Sequence, residues 1–302
     1  IDQKQAFVQY IRQKLSKDLA ASGAPWEEVE LAGKIFDPNC LTLGFSRRFA
    51  TYKRTNLLLS DPERLIKILT NPQKPVQLVL AGKAHPADIP GQNLILDWHH
   101  FLKRPEIKNR VVFLSDYDML VAEQMVSGVD LWINTPRRPW EACGTSGMKV
   151  LANGGVNLSE LDGWWAEAFS PQVGWALGDE KEHGDDPAWD ALEAEALYSL
   201  LENEVTTEFY QKDKEEIPFS WVKRIRHSMA TLTPLYSANR SVREYTEKYY
   251  LLAADNFLKR VSTKGEAGKK IVEWKQQIKE NWPSVKLEEV NSEKEQDHYL
   301  FA

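Results

Sequence analysis

Hydrophobic residues form six short runs between residues 41 and 177, and each run has the length and composition of a buried strand. Longer stretches with helical spacing of apolar positions separate several of these runs. Strands that alternate with helices are typical of a parallel sheet covered on both faces. We therefore predict an α/β fold built on a Rossmann-like, doubly wound parallel sheet. The predicted strands are Leu41–Phe45, Val76–Ala81, Arg110–Leu114, Val129–Asn134, Gly155–Leu158 and Gly174–Leu177.

Helical patterns lie between the strands and continue after the last one. A leading helix is predicted by apolar residues at four-residue spacing near the start of the chain, at Phe7, Ile11, Leu15 and Leu19. Further helices are expected over residues 61–69, 92–103, 119–126, 189–201, 221–232, 242–257 and 264–278.

These patterns predict three parts along the chain. Residues 1–40 form a leading helix and linker, and residues 41–280 form the sheet domain with helices at its C-terminal end. Residues 281–302 form a tail or the start of a missing module, and the alternation over residues 285–290 is typical of a strand. The chain begins at Ile1 without a methionine, which indicates a piece of a longer protein. Removal of the first residues by a peptidase would give the same kind of start.

Composition narrows the class of protein. With 42% hydrophobic residues and a formal net charge of −6, the chain is expected to be globular and to bind no nucleic acid. No apolar run is long enough for a membrane span, so no membrane partner is expected. The two cysteines, Cys40 and Cys143, are too few for a disulfide framework or a metal site. We therefore expect a cytoplasmic protein without a bound metal.

Charged residues follow the predicted strands. Because the carboxyl ends of parallel strands meet at one edge of a sheet, the residues after each strand line the ligand crevice. A solvated helix face is the ordinary meaning of such a charge run, but its place at a strand end favours binding of one or two phosphates. The acidic stretch over residues 179–195 is assigned no chemistry. The cations are Arg47, Arg48, Lys53, Arg54, Arg137 and Arg138.

The segment Glu141–Lys149 combines a carboxylate, glycines beside two hydroxyls, and one amine before an apolar stretch. This pattern is typical of an anion site at a helix start, and a lysine there can form an imine with an aldehyde cofactor. The same pattern is also typical of an ordinary helix cap, in which Thr145 or Ser146 satisfies the free amides. The residues alone leave both interpretations open.

Several motifs together resemble the α-glucan (glycogen or maltodextrin) phosphorylases, and most closely their short prokaryotic branch. The resemblance spans residues 41–250 or so. It is carried by Gly44–Arg54, Ala81–Pro86, Asn134–Pro139, Glu141–Lys149, Asn157–Trp165 and Gly174–Asp179.

The resemblance implies a fold and a reaction. Members of the family have two Rossmann-like domains that face each other across a cleft, the glycosyltransferase B architecture, and this chain resembles the C-terminal half alone. They cleave α-1,4-glucan ends with inorganic phosphate to give glucose 1-phosphate, using pyridoxal phosphate. The implied partners are the glucan, phosphate, glucose 1-phosphate and the missing N-terminal domain, and a homo-oligomer is also considered. This chain alone is expected to turn over little or no glucan, because a cleft with one wall orients the acceptor poorly.

The motifs also imply residue roles. On the substrate side, Arg48 and Lys53 match the cations that grip the substrate phosphate, and Glu141 matches a carboxylate that contacts the sugar. Arg47 matches a basic residue near the cofactor phosphate.

On the cofactor side, Lys149 matches the lysine that forms the imine with pyridoxal phosphate. Gly144, Thr145 and Ser146 match the loop that holds the cofactor phosphate, and Tyr117 matches a residue beside the pyridine ring.

The chain also departs from the family pattern. Cys143 stands where a serine is expected, and Asp118 stands where the animal enzymes carry a basic residue. Two alternatives remain open. A nucleotide-sugar glycosyltransferase of the same fold would use the cations for a diphosphate and Lys149 for packing. A non-catalytic domain would bind glucan without needing phosphate.

Overall fold

The computed structural model describes residues 2–286, 292–295 and 298–301. The chain divides into two compact units, Ile1–Tyr236 and Ser237–Ala302. The first unit contains a parallel sheet with its helices, and the second contains helices and two short antiparallel strands. The domain boundaries at residues 40 and 280, which we expect from the sequence, stay a prediction.

The first unit is built on a six-stranded sheet in which every pairing is parallel, with strand order β3-β2-β1-β4-β5-β6. This arrangement confirms the predicted α/β fold with a doubly wound parallel sheet. Each of the six predicted strands is present, with boundaries within two residues of the prediction. The strands are β1 Leu41–Ser46, β2 Val76–Ala81, β3 Val111–Leu114, β4 Leu131–Asn134, β5 Val156–Glu160 and β6 Gly174–Leu177.

Ten α-helices are assigned in residues 2–236, and three of them begin with an aspartate cap followed by proline at one of the first two helical positions, a strong start signal. Short 3₁₀ turns at Thr51–Lys53, Leu57–Leu59 and Pro105–Ile107 and a π-helical segment at Leu200–Val205 complete the unit. The helices are α1 Asp2–Ala21, α2 Trp26–Ala32, α3 Pro62–Leu69, α4 Ile89–Phe101, α5 Met119–Gly128, α6 Thr145–Ala152, α7 Trp164–Ala168, α8 Pro187–Ser199, α9 Thr206–Tyr210 and α10 Phe219–Leu235.

Both faces of the sheet are buried, because alternate residues of each strand enter different cores. On one face, Leu41, Leu43 and Phe45 pack with residues of α3, α4 and α8. On the other face, residues of α1, α5 and α6 pack over Val79 and Trp132. The leading helix α1 is part of this second core.

The strand order reverses between β1 and β4, the neighbours from which the chain winds outward in both directions. In open parallel sheets, the crevice beyond the carboxyl ends of such a strand pair is the usual ligand site. Arg47 follows β1, and the segment 135–144 follows β4 and leads into α6. The fold therefore brings the motifs Gly44–Arg54 and Glu141–Lys149 to the same edge of the sheet.

The second unit contains α11 Ala238–Tyr245, a π-helical segment Thr246–Tyr250 and α12 Leu251–Asn281. Residues 262–265 interrupt α12 with non-helical dihedral angles, in agreement with two separate helices in the prediction. The antiparallel strands β7 Ser292–Glu295 and β8 His298–Phe301 pair with each other. Most of the strand predicted over residues 285–290 lies outside the described residues. Among the helices of the described part, none is both long enough and apolar enough to cross a membrane.

Candidate active site

Two cations and one carboxylate meet at the carboxyl edge of the sheet. Arg47 Nη2 and Lys53 Nζ both donate to the same oxygen of Glu141, Oε2, at 2.6 and 2.5 Å. Each of the three residues is 8% exposed. The triad of Arg47, Lys53 and Glu141 therefore carries one surplus positive charge out of bulk water, and such a charge attracts an anion.

Local structure fixes each member of the triad. Arg47 extends β1, and its backbone N–H donates to the carbonyl of Ala81 at the end of β2. Lys53 ends the 3₁₀ turn that follows. The backbone N–H of Glu141 donates to Asp162 Oδ2 at 2.8 Å, which holds the loop after β4 against the end of β5. Asp162 was missed as a site residue, although it belongs to one of the motifs that carry the family resemblance.

Not every N–H donor of the Arg47 guanidinium has a hydrogen-bond partner among the described residues. Burial lowers its pKa from the ordinary value, and the charge and hydrogen bond of Glu141 oppose that effect. Its Nη1 is buried without a hydrogen-bond partner among the described residues. The same is true of Ser46 Oγ at the end of β1 and Asn134 Oδ1 at the end of β4. Buried polar atoms are normally paired, so three such atoms at one edge indicate room for a polar ligand or water.

Arg48 is exposed, and its Nη2 donates to the hydroxyl of Tyr52 at 3.3 Å. Lys53 Nζ lies 4.7 Å from the centre of the Tyr52 ring. Burial raises the pKa of Tyr52, but the Arg48 hydrogen bond and the Lys53 charge outweigh it, so the pKa is lower than usual. Tyr52 thus links the exposed cation to the buried triad, a role that its place in the motif did not reveal.

Tyr117 is half-buried at the end of β3, where it packs on the core formed with α1 and α5. After burial, which lowers the pKa of Arg47, and Glu141 and Tyr52, which raise it, Tyr117 is a further group that raises this pKa. The following residue, Asp118, caps α5 by accepting a hydrogen bond from the N–H of Val121 at 2.9 Å. The cap gives a structural reason for an acid at a position where a base was expected.

The start of α6 carries no side-chain cap. Gly144 has φ +86°, a left-handed conformation that favours glycine, and the helix begins at the next residue. Thr145 is exposed and Ser146 is half-buried, and neither hydroxyl caps the helix. The capping interpretation is therefore not what the structure shows, and the first amides of α6 are open to an anion.

Lys149 lies in the last turn of α6, one turn after Thr145 and on the same side of the helix. Its side chain is exposed. Among the described residues, no ion pair or hydrogen bond joins its amine to Arg47, Arg48, Lys53 or Glu141. The structure brings the triad together and leaves Lys149 outside it.

Arg54 and Arg137 are not part of a free phosphate-binding rim. Arg54 contacts the buried carboxylates Glu160 and Glu193, and Arg137 binds Asp190 through both Nη atoms. Asp190 and Glu193 belong to the acidic stretch over residues 179–195, to which the sequence analysis assigns no chemistry. Of the six cations in the predicted rim, these two are paired with carboxylates outside the triad.

Pyridoxal phosphate requires an amine for its aldehyde, donors for its phosphate and a polar wall for its ring. The groups that could meet the first two needs are the amine of Lys149, the uncapped start of α6 and the unpartnered Arg47 Nη1. Tyr117 and the unpartnered Asn134 Oδ1 are available for a polar and aromatic wall. The residues present therefore fit this cofactor.

The fold and the site define an α/β protein with a cation-rich crevice at the switch point of its parallel sheet. The model of the carbohydrate phosphorylase family matches residues 8–174, more than half of the chain. The chain belongs to that family, which confirms the resemblance seen in its motifs.

Named relatives agree with this assignment. The chain is 42% identical over 94% of its length to the glycogen phosphorylase of Mycobacterium tuberculosis, and 38% identical over 95% of its length to the maltodextrin phosphorylase of Thermococcus litoralis. It is 40% identical over 83% of its length to the glycogen phosphorylase of Aquifex aeolicus. These matches cover 33%, 33% and 36% of the respective relatives, so the chain spans about a third of their length.

Proposed function

We propose that this chain is the cofactor- and phosphate-binding part of an α-1,4-glucan phosphorylase, which cleaves glucan ends with inorganic phosphate to release glucose 1-phosphate. The observation that carries the proposal is the buried triad with its surplus positive charge beside an uncapped helix start. The names of the relatives supply the substrate class.

In this proposal Lys53 of the triad binds the substrate phosphate together with Arg48. Lys53 already lies against Glu141, and a phosphate would share its cations with that carboxylate. Arg48 is exposed beside Tyr52, so it can reach an anion without losing a buried partner. Glu141, freed in part from its cations, would accept a hydrogen bond from a sugar hydroxyl.

Pyridoxal phosphate is the proposed cofactor, and when bound it supplies a phosphate group that holds and returns a proton near neutral pH. Lys149 would hold its aldehyde. Gly144 leaves space for the phosphate near the amides of Thr145 and Ser146, and Arg47 Nη1 is an open donor in the same crevice. Tyr117 would lie along the ring.

The glycosyltransferase B architecture, the N-terminal domain and self-association of the whole protein belong to the same proposal. The unpaired cysteines, Cys40 and Cys143, are compatible with a reducing compartment such as the cytoplasm. Because the chain spans about a third of its relatives, we expect it to bind the cofactor but to release little or no glucose 1-phosphate by itself.

Absorbance titration with pyridoxal phosphate tests this function. We expect the purified chain to turn yellow with saturation at one equivalent, and Lys149→Ala to abolish the colour. A nucleotide-sugar glycosyltransferase would show no such colour and would bind a nucleoside diphosphate instead. A non-catalytic glucan-binding domain would bind maltodextrin with the same affinity with or without phosphate. Either of the last two results contradicts the proposal.

A further inference from the structure

Arg54 directly follows Lys53 and has an unusual backbone conformation. Its φ is +44°, in the left-handed region that residues with a side chain adopt only at an energetic cost. Its side chain is 5% exposed. A strained, buried arginine beside a triad cation needs strong contacts to hold it in place.

Backbone contacts hold one side of Arg54. Nε donates to the carbonyl of Thr135 at 3.1 Å, and Nη2 donates to the carbonyl of Pro136 at 3.0 Å. In return, Thr135 Oγ1 donates to the carbonyls of Lys53 and Arg54, at 3.3 and 3.2 Å. The turn that carries Lys53 is thus fastened to the loop after β4, the loop that leads to Glu141.

Three carboxylates hold the other side of Arg54. Nη2 also contacts Glu160 Oε2 at 3.0 Å, and Nη1 contacts Asp190 Oδ1 at 3.0 Å and Glu193 Oε2. The guanidinium has five N–H donors, so all of them are in use. Arg137 pairs with Asp190 as well, and its Nε contacts Asp185 Oδ1 at 3.1 Å. The Asp185 side chain is 97% exposed to solvent. Apart from Asp185, the cluster combines two guanidinium groups with three carboxylates, and one proton would balance its charge.

The geometry shows where that proton would lie. Glu193 Oε1 is buried without a hydrogen-bond partner among the described residues. A Cβ atom built on Gly178 would lie 2.0 Å from Glu160 Oε1 and 3.2 Å from Glu193 Oε1, so both oxygens face the same glycine. A carboxylic acid at Glu160 would donate to the unpaired oxygen of Glu193. Burial and the neighbouring Glu193 raise the pKa of Glu160 to about 9, while Arg54 opposes the shift.

Other charged groups border the acid pair. Asp179 follows Gly178 and pairs with His183 at 2.9 Å. Arg138, from the loop after β4, donates to the backbone carbonyl of Leu161. Asp162 accepts the backbone N–H of Glu141. Each of these groups has its own partner. Arg54 is the cation that contacts both Glu160 and Glu193, and it also contacts Asp190, which pairs with Arg137.

We propose that Glu160 and Glu193 share one proton, and that this acid pair makes Arg54 a positioning residue that holds Lys53 against Glu141. The inference rests on the proposed function only in giving Lys53 a phosphate to bind. Above the pKa of the pair, the two buried negative charges would repel each other. As they move apart they would displace Arg54, which contacts both, and loosen the turn that carries Lys53.

Infrared spectroscopy of the chain tests the shared proton directly. In the difference spectrum between the wild type and Glu160→Gln at pH 7, we expect the carbonyl band of a protonated carboxylic acid in the wild type alone. The band should disappear as the pH rises through about 9. If the difference spectrum shows no such band at pH 7, the two carboxylates share no proton and the proposal is wrong.

Lysine acylation followed by mass spectrometry tests the positioning, and it needs neither cofactor nor glucan. With exposed Lys149 as the internal reference, Lys53 should react on the order of tenfold more slowly at pH 7, because it is buried in the triad. In the wild type this protection should fall between pH 8 and 10. In Glu160→Gln or Glu193→Gln it should persist, because either substitution leaves one negative charge in the pair.

Glu208→Gln is the matched control, because Glu208 belongs to a different ion pair. Its Oε2 lies 2.7 Å from Arg224 Nη2. This variant should keep the alkaline loss of Lys53 protection seen in the wild type. Arg54→Lys, which loses the planar fork, should lose protection at every pH. Equal pH profiles in the wild type and both glutamine variants would overturn the positioning role. If neither glutamine variant folds, the wild type alone tests the proposal. Loss of the acid band with rising pH, together with loss of Lys53 protection, supports it. Loss of the band without loss of protection overturns the positioning role.

Discussion

Glu141 is the residue on which the site depends most. Its Oε2 accepts from both Arg47 and Lys53, so removing its charge leaves two buried cations close together. An uncompensated buried charge is strongly destabilising, whereas an anion from solution could take the place of the carboxylate. The stability of this site should therefore depend on anions once Glu141 is neutral.

We expect Glu141→Gln to lower the free energy of unfolding by about 2–4 kcal/mol, as for a broken buried ion pair. Added sulfate or phosphate should restore part of that loss, because either anion can bind the freed cations. Urea unfolding with and without sulfate, against sodium chloride of equal ionic strength, measures both effects.

The matched control is Glu208→Gln, which breaks a single arginine pair. It should lose stability without any specific recovery in sulfate. Equal responses of the two variants to sulfate would contradict an anion site at the triad.

At this scale the sequence predicted only part of the site. Arg47, Lys53 and Glu141 are brought together as their strand-end positions indicate, but their catalytic roles stay predictions. The sequence could not show that Arg47 pairs with Glu141 whereas Arg54 pairs with other carboxylates. The partners of Arg54, Glu160 and Glu193, lie more than 100 residues away in the chain. Pairing over such separations depends on tertiary packing, which a charge run does not encode.

Among the elements, α6 links the sheet to the proposed cofactor site. Gly147, in its first turn, is buried against Asn157 and Trp164, and its carbonyl accepts from Asn157 Nδ2 at 3.1 Å. A Cβ atom at this position would lie 2.6 Å from Asn157 Oδ1 and 2.9 Å from the Trp164 ring. The close contact sets how near the helix start lies to β5.

Gly147→Ala should therefore push α6 away from β5 and cost about 1–3 kcal/mol of unfolding free energy, as for an overpacked core. Ser146→Ala, one residue earlier, is the control, because that hydroxyl caps no amide of the helix. It should change stability by less than about 0.5 kcal/mol. Urea unfolding of both variants checks the comparison, and equal losses would show that the contact with β5 has no energetic weight.

The elements themselves were largely predictable. Buried strands in a parallel sheet read as short apolar runs, so all six were found from the sequence. The uncapped start of α6 was not predictable, since a Gly-Thr-Ser-Gly segment suits a cap equally well. The exposed position of Lys149 was not predictable either, because the rotation of α6 depends on its contacts with α10, α5 and β5.

For the whole molecule, the pH dependence of stability should reflect the acid pair. The pKa of Glu160 is raised from 4.5 to about 9 by burial, so between these values the folded chain holds a proton that the unfolded chain has lost. The proton therefore contributes its full stabilisation at pH values below the pKa of Glu160 in the unfolded chain. As the pH rises towards the pKa in the folded chain, this stabilisation is lost by at most about 1.4 kcal/mol per pH unit.

Glu160→Gln carries no titrating proton at this position, so the stability of the wild type relative to this variant should fall steadily from pH 6 to about 9 and then level off. Urea unfolding at several pH values measures the difference. Parallel stability curves for the two proteins would show that Glu160 titrates in its ordinary range.

The division into two units predicts a separable fold. All six sheet strands and the three hydrophobic cores lie within residues 2–236. A fragment of residues 1–236 should therefore unfold cooperatively in urea, with the near-ultraviolet circular dichroism of packed tryptophans. A gradual transition without that signal would mean that residues 237–302 are required for the first unit to fold.

The central claim is that the crevice at the switch point of the sheet is a pyridoxal phosphate site with Lys149 as its amine. Borohydride reduction of the chain with one equivalent of pyridoxal phosphate, followed by peptide mapping, tests it most directly. We predict a single added cofactor mass on the peptide that contains Lys149, and no selective labelling by pyridoxal, which lacks the phosphate that the α6 amides would bind. Label on another lysine, or label spread over many lysines, would contradict the account.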